Sequence, residues 1–202
     1  MSEMTHIERD LDSGNQLRLV EAMADVVAEK GYPATTIADI VARARVSRRT
    51  FYEYFTDKDA CLLACHTIVG ERMRAAVTTV KSEPASTRTL IERSVTALLQ
   101  TLAAQRNLTY THFVAMHASG QTTSRARRQV QEMMANQVQD VAGRVKAADP
   151  GVKIPSALMA TALVGGIGEL IVRTVEQRGV DDLLTIAPTV VELITAVMIV
   201  SD

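Results

Sequence analysis

The stretch TTIADIVARARVSRRTFYEYFTDK, residues 35–58, decides the fold. Thr36 stands where a side-chain oxygen can cap a helix, with Asp39 in the first turn and Ile37, Ile40, Val41 and Ala44 following at helical spacing. That helix is only about two turns long. Ser47 can cap a second short helix, in which Phe51 and Phe55 lie four apart on one face, and Thr56 with Asp59 repeats the capping arrangement for a third. Two short helices joined by a turn of three or four residues, with a supporting helix before them, describe a helix-turn-helix.

Upstream, Ser13 with Gln16 has the spacing of a capping box, Leu17, Val20, Met23, Ala24 and Val27 share a face, and Gly31 with Pro33 stops the supporting helix. Downstream the segments lengthen. Leu62, Cys65, Val69, Met73, Ala76 and Val80 trace one stripe, ended by Pro84; Ile91, Val95, Leu98 and Leu102 trace the next. Leu108 to His117 reads as a shorter helix broken at Ser119-Gly120, Val130 to Val145 as another, and Asp149-Pro150-Gly151 as a stop. Ser156 to Gln177 and Asp181 to Val200 are apolar on several sides and must be covered on several sides. Pro188 predicts a kink or a helix restart inside the last segment. No segment alternates as a strand does. The expected fold is all-α, with a three-helix head over residues 1–60 and a larger helical bundle over 61–202.

The 202 residues are 47% hydrophobic and 22% charged, with ten glycines and five prolines, which fits a folded chain with a buried core and excludes a disordered or fibrous one. The length excludes a large multidomain enzyme. Residues 157–172, the longest apolar run, fall short of the roughly 20 needed to span a membrane and include Glu169. Early acids, Glu3, Glu8, Asp10 and Asp12, argue against a secretory signal. The expectation is a cytoplasmic protein without a membrane partner. A net charge of −1 gives the whole molecule no attraction for nucleic acid, yet Arg43, Arg45, Arg48 and Arg49 fall in one short run free of acids. Of four Tyr and three Phe, five lie between Tyr32 and Phe55, so the basic and aromatic clusters coincide.

If Phe51 and Phe55 face inward, Ser47, Arg48, Arg49 and Thr50 form the outward N-terminal turn of the second short helix, the end that reaches base edges. Arginine suits guanine through two parallel hydrogen bonds worth roughly 1–3 kcal/mol of discrimination. Thr36, Tyr52, Tyr54 and Lys58 lie around this turn, where hydroxyls and an ammonium can hold phosphates. Other sites are weaker. Cys61 and Cys65 share a helical face beside His66, readable as a redox or soft-metal site or as small core residues. His112 and His117, five apart, diverge by about 140° on a helix and cannot share a metal. Glu169 and Arg173 read as an ion pair or as a polar anchor for a ligand. No phosphate-binding glycine loop, metal-ligating motif or nucleophile elbow is present, so neither a catalytic residue, a metal nor a cofactor is expected.

The run from Leu17 to Leu62, with Gly31-Tyr32, Ala34-Thr35-Thr36-Ile37, Val46-Ser47, Thr50-Phe51-Tyr52-Glu53-Tyr54-Phe55 and Lys58, resembles the N-terminal domain of the tetracycline-repressor-type (TetR) family of bacterial transcription regulators. The resemblance couples order, spacing and residue type over about a quarter of the chain; the rest matches only in layout. It implies that Thr36, Tyr52, Tyr54 and Lys58 touch phosphates and that Ser47, Arg48, Arg49 and Thr50 touch bases. It also implies a ligand-binding and dimerisation body whose last two long helices pair across a twofold axis. Two positions depart from the family pattern: Arg45 replaces the usual turn glycine, and Val41 a small alanine.

A single short reading helix contacts too few base pairs to select a site in a genome, so a homodimer on two half-sites is expected, with the apolar C-terminal helices and Gly165, Gly166 and Gly168 supplying the contact. By resemblance, a small-molecule pocket lies in the body; Tyr110, Phe113, Met116, His117, Met134 and Glu169 are its candidate lining residues, and the aliphatic composition suits an apolar or amphipathic effector. The resulting expectation is a repressor that binds a palindromic operator and is released by the effector. Two alternatives are a constitutive DNA-binding dimer without effector and an all-helical enzyme using Glu169 and the central histidines.

Overall fold

Gly31 takes φ +77°, a conformation glycine adopts without clash, and ends helix α1 (Gly14–Lys30). The computed structural model describes residues 14–79, 85–115 and 121–199. Ser13, Pro84, Met116, His117, Ser119 and Gly120 lie outside them. The chain divides into two compact units: residues up to Val69 with Arg106–Arg127, and Gly70–Gln105 with the residues from Arg128 onward.

In the first unit α1 buries Leu19, Val20, Met23, Ala24 and Val27 and packs against α2 (Ile37–Ala44) and α3 (Arg48–Tyr54). Phe51 and Ile40 are fully buried and Phe55 nearly so, with the two phenyl centroids 5.6 Å apart. Burial of a side chain such as Phe51 is worth about 1.5–3 kcal/mol, more than a seven-residue helix has from its own backbone. Helix α4 (Lys58–Thr78) starts under a different cap from the expected Thr56 with Asp59. The Asp57 carboxylate accepts the Ala60 N–H at 2.8 Å, because a helix beginning at Lys58 places Ala60 third, and Asp59 instead accepts the Tyr32 hydroxyl. The expected helix from Leu108 to His117 is α-helical only over α6 (Arg106–Tyr110) and widens into a π turn, Thr111–Ala115. Thr111, His112, Phe113 and Ala115 are buried along this turn.

In the second unit, Ser86 and Ser156 cap α5 (Thr87–Ala103) and α8 (Ala157–Arg178) by accepting the Thr89 and Met159 N–H groups, each at 3.2 Å. Ile91, Val95, Leu98 and Leu102 are buried along α5 as their spacing requires. Helix α7 (Gln121–Ala148) stops before Asp149-Pro150-Gly151. The last segment is a 3₁₀ turn, Val180–Ile186, followed by α9 (Ala187–Met198), with Pro188 in the first turn of the restarted helix. Helix α5 packs on the 3₁₀ turn and α9, and α8 on the same two elements. The chain after α7 closes on the end of α9, where the Lys153 N–H donates to the Met198 carbonyl at 2.7 Å above a small core of Ala142, Val152 and Met198.

Helix α8 runs past the expected end of its apolar stretch to 22 residues, and its most apolar 18-residue window has mean hydropathy 1.5, long and apolar enough by those measures to cross a membrane. Glu169 and Arg173 interrupt the hydropathy but not the helix. Only 28% of that window is buried in the chain, with Leu158 84% exposed.

Candidate nucleic-acid interface

Helix α2 opens with a reciprocal capping box: the Thr36 hydroxyl accepts the Asp39 N–H at 3.3 Å, and the Asp39 carboxylate accepts the Thr36 N–H at 2.9 Å. The Lys30 ammonium, 2.6 Å from Asp39, and then the Thr36 hydroxyl and N–H hold the Asp39 carboxyl down at about 2, against an ordinary 3.8. A depressed carboxyl stabilises above its unfolded value and loses that contribution as the pH falls through its folded one. Asp39→Asn is therefore expected to lower Tm near neutrality, with a deficit that shrinks as the pH is taken from 3.8 towards 2. Thermal melts across that range check it; a constant deficit would show that the charge plays no part.

The turn between α2 and α3 is made by Arg45 at φ 54°, ψ 46°, whose N–H caps the Ala42 carbonyl while the Val46 N–H reaches the Val41 carbonyl at 3.1 Å. The backbone thus takes the left-handed conformation that glycine usually supplies, at a cost of about 1–2 kcal/mol for a residue bearing a Cβ. Arg18 of α1 steadies the turn by donating to the Ala44 carbonyl and, at 3.3 Å, to the Arg45 carbonyl. A cation at a helix C-terminus satisfies carbonyls that have no partner within the helix.

Ser47 then caps α3, its hydroxyl accepting the Thr50 N–H at 2.9 Å. The four-arginine run divides here. Arg43 is bound at 2.5 Å by Glu29 and at 3.3 Å by Asp25, acids that α1 brings from far away in sequence. Arg48 is exposed and makes no hydrogen bond or ion pair with a described residue. The Arg49 side chain is 90% exposed and pairs with Glu53 at 3.3 Å, a solvated i,i+4 contact worth only a few tenths of a kcal/mol. Tyr52 is exposed beside them, its ring edge-on to Phe51, and Tyr54 is half-buried. Thr36 is exposed, but its hydroxyl is committed to Asp39. Lys58 donates to the Tyr32 and Thr35 carbonyls at 3.2 and 2.9 Å and lies 4.3 Å from the Tyr32 ring centre, so it ties the α1–α2 loop to α4 with one N–H to spare.

The residues expected around a ligand fall in both units. Phe113 is buried and Tyr110 half-buried in the first unit; Met134 is buried in the second. Met116 and His117 lie outside the described residues. Glu169 is exposed on α8, and no ion pair joins it to Arg173: both side chains are solvated, where pairing gains little. Cys61 and Cys65 are buried, with their thiols against the Leu19 and Val20 carbonyls, and burial pushes both thiols up, away from thiolate chemistry. His66 stacks on His112 at 4.1 Å between ring centres. Arg18 and Lys30, which hold the turn and the Thr36 cap, had no role in the sequence pattern, where Tyr32 and Asp59 stood only as members of the aromatic cluster and of a cap.

A cap, a short helix, a left-handed turn and a second capped helix that projects arginines from a buried aromatic base define a helix-turn-helix DNA-binding head. Residues 19–65 match the family described as bacterial regulatory proteins, tetR family. The chain is 26% identical over 89 residues to the uncharacterized HTH-type transcriptional regulator YuxN and 38% identical over 52 residues to YvdT, both of Bacillus subtilis. These alignments cover 44% and 26% of this chain and span only 31% and 27% of the two relatives. FadR, a fatty acid degradation regulator from Bacillus halodurans, shares the fold at TM-score 0.75 and 20% identity over 91% of this chain and 95% of its own. FadR from Bacillus subtilis, solved in complex with stearoyl-CoA, shares it at TM-score 0.73 and 18% identity over 88% and 96%. TylP, a tetR regulator from Streptomyces fradiae, does so at TM-score 0.71 and 23% identity over 92% and 87%. Residues 19–65 are thus similar to the DNA-binding part of the tetR family, and the chain shares its fold with tetR regulators along most of its length.

Proposed function

We propose that the protein is a transcriptional repressor that acts in the cytoplasm, binding a palindromic operator as a homodimer and leaving it when a small apolar or amphipathic molecule binds the body. The observation that carries the DNA reading is the exposed first turn of α3, where Ser47 fixes the backbone and Arg48 and Arg49 face solvent from a rigid aromatic base. Ser47, Arg48, Arg49 and Thr50 read bases; Tyr52, Tyr54 and the spare N–H of Lys58 hold phosphates and set register, and Thr36 joins them once its hydroxyl leaves Asp39. The open face of α8 supports the dimer. Gly168 there has open space around a notional Cβ, whereas a Cβ on Gly165 would come within 3.2 Å of Gln131 and one on Gly166 within 3.7 Å of Leu193 of the same chain. The fold shared with the FadR solved with stearoyl-CoA supports a long-chain effector.

Selection of bound sequences from a random DNA library tests the reading, with a palindrome of half-sites about 34–36 Å apart as the expected product. Repeating the selection with Arg48→Ala and Arg49→Ala is expected to blur preference at particular positions, by roughly 1–3 kcal/mol per lost base contact. A uniform loss across all sequences would reduce both arginines to phosphate holders, and no enrichment at all would remove the regulator. For the effector, titration with stearoyl-CoA is expected to weaken operator binding, and operator to weaken stearoyl-CoA binding by the same factor. Independent affinities would leave a constitutive DNA-binding dimer.

A further inference from the structure

Arg45 is the single non-glycine residue with positive φ among the described residues, at the turn between α2 and the reading helix. Everything the turn does for the fold is done by its backbone: its N–H caps α2 and its carbonyl accepts from Arg18. Glycine would do the same without the clash of a Cβ. The side chain returns nothing inside the molecule. It is exposed, and its guanidinium makes no hydrogen bond or ion pair with a described residue.

Partners were within its neighbourhood. Arg45 borders an open cleft of about 310 Å³ between α1 and the end of α2, which also carries Glu21 and Asp25. Asp25 pairs with Arg43 instead, and Arg18 is spent on the turn carbonyls. An arginine kept in a strained backbone, exposed and without a hydrogen bond or ion pair to a described residue, is explained by an anion that the isolated chain lacks. Its position says which. Arg45 precedes Arg48 by three residues, so their Cα atoms are at most about 11 Å apart. With Arg48 in a major groove about 12 Å wide, a side chain of arginine length at Arg45 reaches the sugar-phosphate strand that borders the groove.

We propose that Arg45 is a phosphate-gripping residue of the reading head, kept at a glycine position because the DNA contact outweighs the strain. The inference rests on the DNA-binding reading above. It gives stability and binding opposite signs at one residue: arginine there weakens the fold and strengthens the complex.

The test uses the full chain, the operator recovered by selection, and two variants. Arg45→Gly is expected to raise Tm by about 2–4 °C. It is also expected to weaken operator binding several-fold at physiological salt and to shallow the slope of log affinity against log salt by about 0.9 for each protomer bound. Arg45→Lys, which keeps the charge and the Cβ, is expected to retain the wild-type slope. An unchanged slope in Arg45→Gly overturns the proposal, and so does a loss confined to particular base pairs, which would make Arg45 a base reader. Wild-type protein that selects no DNA overturns the DNA-binding reading itself and this inference with it, a result separate from selective binding that is indifferent to Arg45.

Discussion

Phe51→Ala is expected to cost about 3–5 kcal/mol, enough to melt the reading head at temperatures where the wild-type protein is folded. The side chain is fully buried, lies edge-on to Tyr52 at 5.5 Å and tilted on Phe55 at 5.6 Å, and springs from a helix of seven residues. A helix that short has no stability of its own in water, so the direction of Arg48 and Arg49 depends on this one aromatic base. Denaturant unfolding followed by circular dichroism measures the cost, and DNA binding should vanish in the same variant. Tyr52→Ala is the control: the residue is 54% exposed, so the expected effect on unfolding is small, while the phosphate contact proposed for it would be lost. A loss below about 1 kcal/mol for Phe51→Ala would mean that the head repacks around the cavity and that the aromatic base does not set the angle of α3.

What could be read from the sequence was local. The Thr36 and Ser47 caps, the stop at Gly31 and the restart at Pro188 all depend on residues within four positions of one another, and the structure contains each of them. The Thr56 cap failed at the same range, because Asp57 next door is a better acceptor for the same turn. Partners at long range were not legible. Arg43 looked like part of a DNA-facing cluster because no acid stands among the arginines from Arg43 to Arg49, yet α1 delivers Asp25 and Glu29 to it across 18 and 14 residues. Lys58 looked like a phosphate ligand and is first a tie between the loop at Tyr32 and Thr35 and the start of α4. Arg18 gave no sign of its part in the turn, since the carbonyls it binds lie 26 and 27 residues on. Arg45 is the reverse case: its departure from glycine was plain in sequence, and the structure adds that the left-handed backbone is kept all the same.

Leu158→Glu combined with Ala162→Glu is expected to leave the chain folded and make it monomeric, with operator affinity reduced by roughly 10²–10⁴. Leu158 is 84% exposed and Ala162 is exposed one turn further along α8, so neither substitution opens a cavity in the chain. A helix whose most apolar window is only 28% buried leaves apolar surface that a second copy can cover, and in a twofold contact each added carboxylate appears twice on the same face. Once the copies part, the second head no longer benefits from being tethered beside its half-site, and the avidity that a linked pair supplies disappears while each head keeps its intrinsic contacts. Sedimentation at micromolar protein, together with thermal melts, separates this from unfolding. A variant that stays dimeric and keeps its operator affinity would place the contact between copies elsewhere than on this face of α8; one that becomes monomeric with unchanged affinity would show that a single head suffices, and the requirement for paired half-sites would fall.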